Sequence, residues 1–245
     1  MSKVTIWTLE SDYDKDAVKV LVYKLVENLT LQVTSVRAVG KQAVPKRRRS
    51  HTLADALKKA VRNYLKEDNC VIFIIDSDGP IASFARRQEA NSLVNQVKTV
   101  VSDSEFTDRV HLAWAKQELE AWLLIDCIGV FCYFASQRSA FRTNCRTKAT
   151  SNPSFLRLIK KYQKGDTELI VEAERGGKGV KEYLVDFSQE ILVALNPQMP
   201  NKNLKQEKYH ERISPEIAQH VEINSNTLRR NASLNHLGAL LSECS

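Results

Sequence analysis

No two cysteines stand at CxxC spacing; the five, Cys70, Cys127, Cys132, Cys145 and Cys244, are scattered and odd in number. That pattern argues against a zinc ribbon and against a disulfide framework, so buried thiols in a reducing compartment are expected. His51, His111, His210, His220 and His236 lack metal-ligand spacing as well. No run of about eighteen uncharged apolar residues occurs, which argues against a transmembrane helix. The longest apolar run, 121–135, contains Asp126 and reads as a buried helix. The start, "MSKVTIWTL", has one lysine and then strand-like alternation instead of the apolar core of a signal peptide, so a cytoplasmic location is expected. No G-x-x-x-x-G-K-[ST] loop is found; "GGKG" at 176–179 has the wrong spacing, and any ATPase chemistry belongs to another chain. Internal repeats and low-complexity tracts are also missing.

Acid is missing from one long stretch. Between Arg138 and Lys164 there are eight lysines and arginines and no carboxylate. A second band, Arg37 to Lys66, holds ten against one acid, Asp55. The formal charge of +7 is therefore concentrated, and the remainder of the chain is net acidic. Segregation of this kind suits a polyanionic partner, nucleic acid first. Solvated helix faces and a basic loop are the plainer alternative. The candidate phosphate contacts are Lys46, Arg47, Arg48 and Arg49 of "PKRRR", together with Arg142, Arg146 and Lys148.

The chain is long enough, at 245 residues, for one large domain or a core with a smaller addition. Alternation predicts strands at 3–9, 29–37, 70–75 and 108–115. Apolar residues at three- and four-residue spacing predict helices at 12–29, 53–67, 81–101 and 118–135. Ser50 or Thr52 is placed to cap the second helix. Strands and helices alternating in this way imply an α/β fold, a mostly parallel sheet covered on both faces, over about residues 1–135. Residues 136–245 read as a basic, mainly helical extension packed on that core: a loop at 136–153, a short helix at 154–162, a glycine turn before a helix ending near 195, and helices from Ser214 to Leu241.

The stretch "VIFIIDSDGP" (71–80) drives an apolar strand into two carboxylates, Asp76 and Asp78. A tight turn explains Asp-x-Asp-Gly by itself, since Asp bonds its own backbone and Gly accepts positive φ. The strand's carboxyl end is nevertheless where ligands sit in a parallel sheet, and Glu10 follows the first strand. Three such carboxylates suit a divalent cation that prefers oxygen ligands, Mg²⁺ (or Mn²⁺). An EF-hand is excluded because Arg87 occupies the twelfth position from Asp76.

A glutamate after strand one and Asp-x-Asp after a later strand resemble the Toprim domain of topoisomerases, primases and overcoming-lysogenization-defect nucleases, with Ser11 where that pattern has glycine. "WAKQELEAWLLID" (114–126) and "KYHERISPEIAQHVEINSNTLRRNASLNHLGALL" (208–241) resemble a bacterial Toprim-like family. Its members often lie beside AAA-type ATPases of the overcoming-lysogenization-defect and structural-maintenance kind. The resemblance implies a Toprim-like core with Glu10, Asp76 and Asp78 as metal ligands. Lys116 would then steady a phosphate, and Glu118 and Glu120 would serve as a second metal site or base. The activity implied is a metal-dependent nuclease, an effector of anti-phage or anti-plasmid defence with an ATPase partner. The alternatives are a nucleic-acid-binding or regulatory subunit without catalysis and a phosphatase acting on small phosphates. Trp114 and Trp122 are expected in the core, and at most one of Glu118 and Glu120 can face a given site, because residues two apart on a helix diverge.

Overall fold

The computed structural model describes residues 1–8, 12–38, 52–77, 92–170, 179–198 and 207–245. Two compact units divide the chain, Met1–Lys116 with Ser233–Ser245, and Gln117–Ala232.

The first unit runs β1 (Ser2–Thr8), α1 (Asp12–Val26), β2 (Leu31–Ala38), α2 (Leu53–Tyr64), β3 (Cys70–Ser77), α3 (Leu93–Val101) and β4 (Val110–Lys116). Its four strands pair in the order β2-β1-β3-β4, and every pair is parallel. The fold class is therefore α/β with a parallel sheet flanked by helices, as the alternation predicts. Strand order reverses once. The β1-to-β2 crossover runs one way along the sheet and the next two run the other way, so right-handed connections put α1 on one face and α2 and α3 on the other.

Packing follows that division. Val71, Phe73 and Ile75 of β3 join Trp7, Val110, Leu57, Val61, Val97 and Val100 in one core under α2 and α3. The alternate β3 residues, Cys70, Ile72 and Ile74, point to the opposite face. There the final helix returns to the sheet, tied by the disulfide Cys70–Cys244 and by Ser233, whose hydroxyl accepts the Lys116 backbone N–H at 3.4 Å. Burying Phe73 completely is worth about 2–3 kcal/mol. Of the two expected caps, Thr52 serves: it forms a capping box with Asp55 at the start of α2. Ser50 lies outside the described residues, as does the 81–91 part of the helix expected over 81–101.

The second unit holds α4 (Glu120–Leu123), α5 (Cys127–Ala135), α6 (Cys145–Ser151), α7 (Pro153–Tyr162), α8 (Val180–Leu195), α9 (Ser214–His220) and α10 (Ser225–Leu228); α11 (Ala232–Glu243) then closes the chain in the first unit. Four expectations change here. The single helix expected over 118–135 is broken at a 3-10 turn, Leu124–Asp126, because Asp126 caps α5, accepting the Gly129 N–H at 3.0 Å. The loop expected over 136–153 contains α6, held by the disulfide Cys132–Cys145 and by Arg146. The expected boundary near 135 falls instead after Lys116, since α5 packs against α6, α8 and α9. Finally, four of the five cysteines form disulfides and only Cys127 is a thiol. The bonded partners are 174 and 13 residues apart, spacings that carry no motif.

No helix among the described residues is long and apolar enough to cross a membrane. At Gly129 a Cβ would strike the backbone carbonyl of His220, at the end of α9, and approach Asp126 Oδ2 to 2.7 Å. Glycine is what lets α5 and α9 touch. Gly129→Ala is expected to lower stability by about 1–3 kcal/mol, seen as a lower urea midpoint with circular dichroism as probe; an unchanged midpoint would mean the two helices separate freely.

Candidate active site

Parallel pairing of β1 with β3 is the feature that builds the site. Thr8, the last residue of β1, pairs with Ile74, two residues before Asp76. The reversal of strand order falls between these two strands, and in open parallel sheets the crevice at such a switch point, outside the carboxyl ends, is where ligands bind. Asp76 sits there, half-buried, paired in register with Ala115 of β4. Ser77 pairs with Lys116, whose side chain is exposed. Glu10 and Asp78 lie outside the described residues, as do Lys46, Arg47, Arg48 and Arg49. Of the acidic trio, then, Asp76 is the described member, and its carboxylate oxygens are the hard donors that Mg²⁺ selects.

Directly after β4 the backbone turns left-handed at two successive non-glycine residues, Gln117 (φ 61°) and Glu118 (φ 75°). Each costs on the order of 1 kcal/mol or more for an L residue. Strain of this kind persists only where the surroundings enforce it, and here it directly follows the carboxyl end of β4.

Glu118 and Glu120 belong to the second unit. Glu120 opens α4 and is buried, accepting a hydrogen bond from the Tyr209 hydroxyl at 2.7 Å; that hydroxyl also pairs with Ser214 Oγ at 2.8 Å. Lys181 is held above its usual pKa first by its hydrogen bond to Glu211, then by the charges of Glu211, Glu120 and Glu118. The two motif segments of the sequence thus meet inside one unit. "ELEAW" supplies the carboxylates and "KYHERISP" supplies Tyr209, Glu211 and Ser214. Tyr209 and Ser214 gave no signal beyond their segment, and Lys181 gave none at all.

The second junction between those segments is Asp126, buried at 5% exposure. Its carboxylate receives the Gly129 N–H, the Glu222 N–H at 2.8 Å and the Arg146 guanidinium. Arg146 also binds the His220 carbonyl at 2.8 Å and Glu222 at 2.7 Å. Expected as a phosphate contact, Arg146 is instead a tie between α6 and the end of α9: all three nitrogens of its guanidinium are bonded into this cluster. Arg142 and Lys148 are exposed, with Lys148 also donating to the Ala140 carbonyl at 2.6 Å. Arg157 and Lys160 on α7 are exposed too, so the acid-free band presents cations to solvent. Trp122 is fully buried, and Trp114 packs at the core edge beneath Lys98, as expected of core residues. Burial pushes the Cys127 thiol up to about 11, so it stays protonated at neutral pH and is no nucleophile.

Comparison with known proteins found no matching family model, no matching curated protein and no matching solved structure.

Arg146→Met removes the partner of a buried carboxylate and is expected to cost about 3 kcal/mol in urea unfolding. A residue that only touched phosphate would leave the unfolding midpoint where it is.

Proposed function

We propose that this protein is a Mg²⁺-dependent nuclease of Toprim-like design, hydrolysing phosphodiester bonds of DNA or RNA. The observation that carries the reading is the parallel β1–β3 pairing at the switch of strand order, with Asp76 at the carboxyl end of β3 and Glu10 two residues past the end of β1 in sequence. Glu10, Asp76 and Asp78 would hold the cation. Bound there, Mg²⁺ supplies charge neutralisation at the scissile phosphate. Lys116, exposed beside the end of β3, is suited to hold a phosphate oxygen, and Glu10 to take the proton of the attacking water. Glu120 has a different task in this reading: bonded to Tyr209 and buried, it fixes the 209–214 segment. The exposed cations of α6 and α7 favour a polymeric substrate over a small phosphate. The proposed setting is the bacterial cytoplasm, in defence against phage or plasmid DNA, with a separate AAA-type ATPase as partner.

The same basic surface also supports a second reading, a nucleic-acid-binding subunit without catalysis. The two readings separate in one experiment. Wild type and Asp76→Asn are given plasmid DNA and RNA with Mg²⁺, and cleavage and binding are measured side by side. The nuclease reading expects cleavage to fall on the order of a hundredfold or more in the variant while binding persists. Neutralising Arg142, Lys148, Arg157 and Lys160 is expected to weaken binding and to flatten its dependence on log salt, by about one unit of slope for every phosphate no longer neutralised. Binding by wild type with no cleavage under any divalent cation would favour the non-catalytic subunit.

A further inference from the structure

Away from the carboxyl edge of the sheet, the opposite end of β3 gathers three soft or borderline ligands that sequence spacing keeps apart. Cys70 opens β3, His111 lies on β4 in register with Ile72, and Cys244 directly follows α11. Because Cys70 and Ile72 share one face of the sheet, His111 opposite Ile72 shares it too. His111 Nε2 stands 3.7 Å from Cys70 Sγ. One ligand atom from each of Cys70, His111 and Cys244 lies within 4.8 Å of the others, the single such group among the described residues. Cys70 and Cys244 are buried, and His111 is half-buried.

We infer that these residues form a redox-gated zinc-class site: a disulfide when oxidised, a Cys₂His cation site when reduced. The geometry suits this. Around tetrahedral zinc, bond lengths of about 2.3 Å to sulfur and 2.0–2.1 Å to nitrogen put sulfur and nitrogen ligands about 3.6 Å apart. The observed 3.7 Å between Cys70 and His111 already meets that spacing. The two sulfurs need to part only to about 3.8 Å, which side-chain rotation supplies over a Cα separation of 5.7 Å. An open depression of about 460 Å³, lined in part by Asn69, Cys70, Asp108, Arg109, Glu243 and Cys244, lies beside the two cysteines and is the side from which a cation and a water as fourth ligand would enter.

The chemistry balances with a dithiol reductant as co-reactant. It gives two electrons and two protons to the S–S bond, becoming a disulfide itself, and frees two thiols. Cation binding then displaces both thiol protons. Either state ties α11 to the N-terminal edge of the sheet, so the last helix stays anchored whichever way the compartment is poised. In the reducing cytoplasm proposed for this protein, the cation form is the relevant one.

The test uses the full chain carrying Cys132→Ser and Cys145→Ser, so that the second disulfide contributes no thiols. Cobalt(II) is the probe, because thiolate ligation gives an intense near-ultraviolet charge-transfer band and tetrahedral geometry gives visible bands. The reduced chain is expected to take up one cobalt with both signatures and to exchange it for zinc, while the oxidised chain shows neither. Cys244→Ser and His111→Gln should each weaken binding by on the order of tenfold or more, and Asp76→Ala should leave the bands unchanged. If the background variant does not fold, the same comparison is made between wild type and Cys244→Ser. The inference is overturned if the reduced chain shows no thiolate band, or if that band is indifferent to Cys244→Ser.

Discussion

The parallel ladder between β1 and β3 is the interaction on which the rest of the first unit depends. Placing β1 inside the sheet, with β2 on one side and β3 on the other, reverses the direction of winding after a single crossover. From that reversal follow the face taken by α1, the opposite face taken by α2 and α3, and the split of β3 into two buried sets of side chains. It also puts the switch of strand order at the carboxyl ends of β1 and β3, the place where open parallel sheets bind ligands. Asp76 stands at the carboxyl end of β3 beside that switch, and the proposed cation site with Glu10 and Asp78 rests on this placement.

In the second unit a buried carboxylate takes the organising role. Asp126 caps α5, receives the backbone of Glu222 and binds Arg146, so one charged group joins three segments far apart in sequence. A buried charge is tolerated only when its hydrogen-bonding capacity is filled, and here amide and guanidinium donors fill it. Glu120, also buried, accepts from the Tyr209 hydroxyl, which pairs in turn with Ser214 Oγ. Holding the fold of this unit therefore demands particular polar residues, and some of the residues that read as functional in the sequence are explained by that demand.

Much of the first unit was legible because hydrophobic period, strand length and caps act locally. The run "VIFII" reads as a strand buried on both faces, and Ser50 or Thr52 reads as the cap of the second helix; the structure has that strand, and Thr52 is the cap. The second unit was less legible because its order is set by contacts distant in sequence. Nothing near Asp126 announces that it will interrupt an apolar helix, since the partners that favour the break, Arg146 and Glu222, lie 20 and 96 residues away. Arg146 reads as surface cation in a basic run for the same reason. Cysteine spacing misled most: Cys70 and Cys244 meet only because β3 and α11 are brought together by the fold. Of the candidate site, the sequence locates the Asp76 strand end, and the strand order puts that end at the switch point on which the proposed function rests.

The most direct test of the account is Mn²⁺ binding to the full chain, followed by calorimetry and by the quenching of the free-ion electron paramagnetic resonance signal, in wild type and in a double variant with Asp76→Ala and Asp78→Ala. The account predicts one site in wild type, displaced by Mg²⁺, and its loss in the double variant without loss of folded structure. Equal Mn²⁺ binding by both proteins, or none by wild type, would contradict it.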